Sequence, residues 1–322
     1  MKKKRYFSFF LWGFLFFNIY AVLGGAFVRA THSGAGCGAH WPLCNGQILP
    51  SISRVQTLIE FVHRISSGII LIATIVTLVI SFLFYPKKHF IRKSSIFILI
   101  FVIIEALVGA ALVYYGWVYK NASPFRALVV SIHLMNTLLL IGSISLAAFA
   151  VSKEIQISNL NNFSIDFIYK KNIKNLFPSL ITLFIVFIIC VTGAVTALGD
   201  TLYQPKFVGE NIIRDLENHE NFIKTIRIFH PLLAIGLALL SLHFVWKIYE
   251  ENKDELNKDN FSLFTILVFL QIIVGFLNIF LLVPVWSQLI HLFIACVLWV
   301  IAIRIYFELF FEPIIIEQPQ NK

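Results

Sequence analysis

Eight separate stretches of this chain are apolar over roughly the thickness of a bilayer, and that property limits what the chain can become. They cover about Phe7–Phe27, Leu58–Phe84, Ser95–Tyr115, Ala127–Val151, Pro178–Leu198, Thr225–Tyr249, Ser262–Val283 and Val285–Phe307. A helix of about 20 apolar residues crosses the hydrocarbon core. In lipid only helices and closed barrels satisfy their own backbone groups, and runs this long without alternation read as helices. The fold class expected is therefore all-α integral membrane, with eight transmembrane helices. The short break at Pro284 is the least marked of the boundaries.

Charge placement supports this. Charged residues are only 13% of the chain, against about 25% in soluble domains, and 58% are hydrophobic. The net charge of +9 is not gathered in a patch that would suit nucleic acid; the cations lie between the apolar runs. Lys2, Lys3, Lys4 and Arg5 share one side with Lys87, Lys88, Arg92, Lys93, Lys153, Lys170, Lys171 and Lys174. The opposite loops are longer but hold fewer, chiefly Arg29, Arg54, Lys120, Arg126, Lys206 and Arg214. The positive-inside rule then places both termini in the cytoplasm, N-in and C-in. The basic start resembles a signal-peptide n-region, with small residues at Gly24, Gly25 and Ala26. The apolar stretch exceeds the usual h-region and has a counterpart in the fifth run, so the segment is expected to be retained.

The chain also echoes itself. Glu105-Ala-Leu-Val-Gly109 in run three answers Gln271-Ile-Ile-Val-Gly275 in run seven, and Ile132-His133-Leu134 answers Ile290-His291-Leu292. Gly24-Gly25-Ala26 near the end of run one answers Thr192-Gly193-Ala194 in run five. With an even number of spans in each half, both halves enter from the same side, giving two parallel pseudo-repeated four-helix bundles rather than an inverted pair. The divisions expected are 1–151, a polar cytoplasmic linker at 152–177, and 178–322.

His63, His133, His230 and His291 fall five or six residues into the even-numbered runs, all of which begin on the outer side. At 1.5 Å per residue these rings lie at a common depth of roughly 8–10 Å. One such histidine reads as an interhelical hydrogen bond. Four at one depth, two per half, suggest imidazoles on both sides of haem. The glycines near them could admit the macrocycle, although close helix packing is the simpler role. His243, near the other surface, reads as interfacial, and His32, His40, His89 and His219 as ordinary solvated side chains. Cys190 and Cys296 read as small packing residues.

Glu60 lies three residues before His63 on the same helix face, a candidate acid, base or charge stabiliser, or a salt-bridge partner of Arg64 or Arg54. The same offset before His230 is Arg227, so only one half carries this group. Arg29, Arg64, Arg126 and Arg227 could meet haem propionates or simply snorkel to the interface. In the first outer loop Cys37 and Cys44 can close a small disulfide, stabilising by roughly 2–3 kcal/mol in the chain-entropy model, or act as a redox or metal-binding pair.

These motifs resemble the haem A synthase family. The segments that carry the likeness are Gly25-Ala-Phe-Val-Arg-Ala-Thr-His-Ser-Gly-Ala-Gly-Cys37, Trp41-Pro-Leu-Cys-Asn-Gly46 and Ile59-Glu-Phe-Val-His-Arg-Ile-Ser-Ser-Gly68, followed by His133, His230-Pro231 and His291. The resemblance implies an oxidoreductase that converts a ring methyl of haem O to the formyl of haem A for terminal oxidase assembly. It implies haem b on His230 and His291, substrate haem O at His63 and His133, and Glu60 as important for turnover. Cys37 and Cys44 occupy the family's loop cysteine positions. Some members carry a second cysteine pair in the later outer loop; residues 200–224 have none. The partners implied are haem O synthase, cytochrome oxidase assembly factors and a membrane electron acceptor, and the location a bacterial cytoplasmic membrane. Two other classes compete: a dihaem cytochrome b-type electron-transfer protein, which leaves Glu60 and the cysteine loop unexplained, and a proton-coupled transporter, which needs more midplane polar groups than Glu105, Gln271 and Asn278.

Overall fold

The computed structural model describes residues 2–51, 54–158, 164–170, 173–208, 210, 222–253 and 257–316. Lys171, Arg214 and His219, named above, lie outside the described residues.

Eight helices long and apolar enough to cross a membrane form the body. They are α1 (Lys2–Ala30), α2 (Val55–Phe84), α3 (Phe90–Tyr114), α4 (Pro124–Ser158), α5 (Ile173–Leu202), α6 (Phe222–Glu251), α7 (Lys258–Phe280) and α8 (Val285–Phe310). Isoleucine, leucine and phenylalanine are the commonest residues in them, and isoleucine and phenylalanine favour strands in water. Helix wins because it satisfies every backbone group within one segment. Even α7, the shortest at 23 residues, rises about 35 Å and so exceeds the hydrocarbon core.

Helix α1 packs on α2 and α4, α2 on α3, and α3 on α4, closing a ring of four. In the same way α5 packs on α6 and α8, α6 on α7, and α7 on α8. The rings meet through α1, α4, α5 and α8, so the densest packing falls there. Leu138, Ile141, Ile144 and Ala148 of α4 are fully buried, and Trp299 of α8 donates its indole N–H to the Leu138 carbonyl at 2.7 Å. The outer helices instead expose large apolar side chains, among them Ile72 and Leu83 of α2, Leu107 of α3, Leu232 of α6 and Phe280 of α7. Such faces are stable only against lipid or a partner.

Part of the polar segment after α4 forms a strand. Strand β1 (Ser164–Tyr169) pairs antiparallel with β2 (Phe311–Ile316), which continues directly from α8. Phe167 pairs across from Pro313 and packs its ring 5.5 Å from Phe307. Asp166 accepts the Phe90 N–H at 2.8 Å, satisfying a free amide at the start of α3. His89, expected from sequence to be solvated, is buried under this ribbon. Its Nδ1 accepts the Ile91 N–H at 3.1 Å and its Nε2 sits 3.0 Å from the Ile165 carbonyl. Nearby, the buried Glu154 takes Lys4 at 2.6 Å and the Tyr85 hydroxyl at 3.2 Å. Burial first, and then the Glu154 charge, raises the Tyr85 proton affinity, so the phenol stays a donor.

At the opposite end of the bundle, Cys37 and Cys44 form a disulfide that folds the loop after α1 back on itself. Gly36 seats this loop on the start of α2: a Cβ there would collide with the Gln56 carbonyl and stand 2.7 Å from the Thr57 nitrogen. Its own carbonyl accepts the Thr57 hydroxyl at 2.8 Å. Gly36→Ala should therefore lift the loop off α2. The expected outcome is faster labelling of the disulfide by a reductant and alkylator, with the helical circular dichroism unchanged.

Candidate functional site

His63, His133, His230 and His291 lie in the third turns of α2, α4 and α6 and the second turn of α8, all half-buried. This is the end of the bundle that carries the disulfide loop. His63 and His133 are within electrostatic range of one another, as are His230 and His291. His63 and His133 belong to the first ring of four helices, and His230 and His291 to the second.

Glycines on neighbouring helices make room for three of these rings. A Cβ at Gly25 would lie 3.0 Å from His63 Cε1, one at Gly193 3.2 Å from His230 Cε1, and one at Gly275 3.3 Å from His291 Cε1. A Cβ at any of the three would press on the imidazole, which would have to give by a few tenths of an ångström. Gly109 differs, because a Cβ there would meet nothing within 4 Å. His133 is held instead by Glu105 of α3, with Nδ1 3.1 Å from Oε1. His230 Nδ1 is 2.9 Å from the Thr192 hydroxyl, and Pro231 directly after it lacks an N–H, so α6 carries one fewer backbone bond there. His291 Nε2 is 3.1 Å from the Gln271 amide nitrogen.

Glu60 is buried, and both its oxygens are engaged. Oε2 accepts the Cys37 N–H at 2.8 Å, while Oε1 takes Arg64 Nη2 at 2.6 Å and Nε at 3.2 Å. Arg64 in turn donates to the carbonyls of His40 and Leu43 at 2.5 and 2.6 Å. The carboxylate is thus a salt-bridge member as well as a charge on the His63 helix. The disulfide loop is tied to that helix by a chain running from Cys37 through Glu60 and Arg64 to Leu43.

The other arginines also bind protein groups. Arg29 reaches the Ala197 carbonyl and Thr201 of α5 and Gln288 of α8, bridging the two rings of helices. Arg126 donates to the carbonyls of Asn121 and Val118 at 2.9 and 2.7 Å, and Arg227 to those of Gly199 and Tyr203 at 3.1 and 3.0 Å. Gly199 and Tyr203 lie at the C-terminal end of α5, whose partial negative charge attracts a cation, whereas Val118 and Asn121 are in the loop between α3 and α4. His32, just past α1, packs edge-on to Tyr119 at 6.3 Å. Its pKa is lowered by burial first and then by the Arg126, Lys120 and Arg29 charges, so it is neutral at physiological pH. His40 and His243 are exposed. Cys190 is half-buried and Cys296 buried, both as free thiols.

Among the described residues, no three histidine, cysteine, aspartate or glutamate side chains converge to hold a bare metal ion. The imidazoles come in twos, which suits a macrocycle that supplies the remaining iron donors itself. The buried Nδ1 atoms of His63, His133 and His291 make no well-aligned hydrogen bond among the described residues, an unusual state for buried polar atoms, although that of His133 lies 3.1 Å from Glu105 Oε1. The donor set fits haem.

Comparison with known proteins agrees with this reading. The chain is 35% identical over 290 residues to a protoheme IX farnesyltransferase of Thermus thermophilus, covering 90% of this chain but 46% of that protein. It is 40% identical over 95 residues to a heme A synthase of Bacillus mycoides, which is 30% of each chain. The chain thus spans less than half the length of these relatives. The model of the cytochrome oxidase assembly protein family, COX15-CtaA, matches residues 8–303. The likeness carried by the Cys37 loop and the Glu60–His63 segment extends over most of the molecule, and the chain belongs to this COX15-CtaA family.

Proposed function

We propose that this protein is a haem A synthase, an oxidoreductase that converts a ring methyl of haem O to the formyl of haem A. The observation that carries the reading is the pairing of four imidazoles at one depth, with Glu60 and the disulfide loop beside only one pair. His230 and His291 would hold a resident haem b, and His63 and His133 the substrate. Bound haem iron supplies the redox chemistry that oxidation of a methyl group requires. The chain supplies ligation and orientation. Thr192 fixes the His230 ring through Nδ1, leaving Nε2 toward Gly193. Glu60 presents a fixed carboxylate that stabilises positive charge or takes a proton as the methyl carbon is oxidised, and the docked loop shields it from bulk water.

The remaining parts of the reading follow from this. The two rings of helices act as a parallel pseudo-repeat, residues 1–151 serving the substrate and 178–322 the cofactor. The bundle lies in the bacterial cytoplasmic membrane with both termini inside, which puts the disulfide on the oxidising face. Electrons leave through a membrane acceptor. A relative named for farnesyl transfer matches through less than half of its own length, which supports haem O synthase as the supplier of substrate. Cytochrome oxidase assembly factors would receive the product. Purified full-length protein should show low-spin bis-histidine haem in its reduced-minus-oxidised spectrum, with haem b identified by pyridine haemochrome. Preparations devoid of haem despite a haem-replete host would sink the proposal and favour the transporter.

A further inference from the structure

We propose that Glu105 is a positioning residue that orients His133 and sets the donor strength of its ring, with Gln271 its neutral counterpart beside His291. The inference rests on the proposed role of these histidines as haem ligands. Glu105 and Gln271 stand four residues before Gly109 and Gly275 on α3 and α7, and each contacts the histidine of the following helix. Their surroundings differ in a way that matches the difference in charge. Oε1 of Glu105 takes the Thr137 hydroxyl at 2.5 Å together with His133 Nδ1 at 3.1 Å, and Oε2 takes the Asn136 amide at 2.5 Å. His133, Asn136 and Thr137 are spaced i, i+3 and i+4, so one face of α4 presents three donors to a single carboxylate. An anion in an apolar span persists only with such partners.

Nδ1 of His133 lies at ion-pair distance from the carboxylate, 3.1 Å from Oε1, which leaves Nε2 for iron. A ligating histidine that donates its other N–H to a carboxylate becomes a stronger base, and stronger donation favours oxidised iron. At His291 the corresponding neighbour is an uncharged amide whose nitrogen donates to ring Nε2 at 3.1 Å and accepts no ring N–H, while Gln271 Oε1 is buried without a hydrogen-bond partner among the described residues. A neutral neighbour polarises the ring less. The two sites are therefore set at unequal potentials, with His63–His133 the lower.

The test uses full-length protein in detergent, with haem quantified by pyridine haemochrome and potentials taken from a spectroelectrochemical titration. Glu105→Gln should keep its haem and raise the potential of the amino-terminal site by about tenfold in the reduction equilibrium, or ~59 mV for a one-electron couple. The site at His230 and His291 should not move. If Glu105→Gln sheds haem while Glu105→Asp retains it, the carboxylate requirement is upheld. An unchanged potential in loaded Glu105→Gln would overturn the proposal, as would equal haem loss from both variants, which marks a packing role. Wild-type protein without haem would instead refute the functional reading on which the inference stands.

Discussion

On the proposed assignment, His230→Leu is expected to remove the haem of the carboxyl-terminal half while the bundle stays folded. Leucine matches the imidazole closely enough in volume to fill the space beside Gly193, where a Cβ would already touch His230 Cε1 at 3.2 Å. It offers no nitrogen to iron, and the Thr192 hydroxyl loses a partner it held at 2.9 Å. Losing only an outer partner costs a metal site roughly 10–100-fold in affinity, so losing the ligand itself should cost more. Haem per protein should fall by about half, with haem A production lost. His291→Leu should give the same result, because both rings would hold one macrocycle. Full haem content in either variant, measured by pyridine haemochrome, would contradict the assignment.

Glu60→Gln is expected to leave haem bound and to stall turnover. The glutamine amide oxygen can still accept the Cys37 N–H, so the loop stays docked. What disappears is the charge facing Arg64, whose side chain is only 11% exposed. Removing one partner of a buried ion pair destabilises by about 3–5 kcal/mol when the other charge is abandoned. The cost here falls below that range, since Arg64 keeps the His40 and Leu43 carbonyls. The loss in rate should exceed the loss in stability: a preorganised group aimed at developing charge contributes on the order of 10²–10³-fold. Arg64→Ala is the control, because it frees the loop without removing the carboxylate. Haem A yield normalised to bound haem, compared across the three proteins, separates charge stabilisation from simple anchoring. Normal yield from Glu60→Gln would end the catalytic assignment.

The eight helices are legible in the sequence because hydropathy is a local property and lipid leaves the backbone few choices. The β1–β2 ribbon is not, since it joins residues about 150 positions apart and the strand at Ser164–Tyr169 carries only a weak local preference. A solvated His89 fails for the same reason: its burial comes from that ribbon, not from its own loop. The i, i+4 spacing of Glu60 and Arg64 announces a salt bridge, but nothing local reveals that the Cys37 amide completes it. Glu105 is visible in the sequence only as a polar residue at the midplane; its echo in Gln271 is the available signal that both face a histidine. The arginines can be placed near the site by sequence, while their carbonyl partners depend on where helix ends fall in space.

On the proposed function, one histidine pair holds haem in order to transform it. The direct measurement is to co-express the full chain with a haem O synthase in a host lacking its own haem A synthase, then extract the haems and identify them by chromatography and mass. Haem A, recognised by its formyl group, is expected only when both proteins are present. Haem O and haem b with no haem A, in cells where the protein is folded and loaded, would contradict it and favour a dihaem electron carrier.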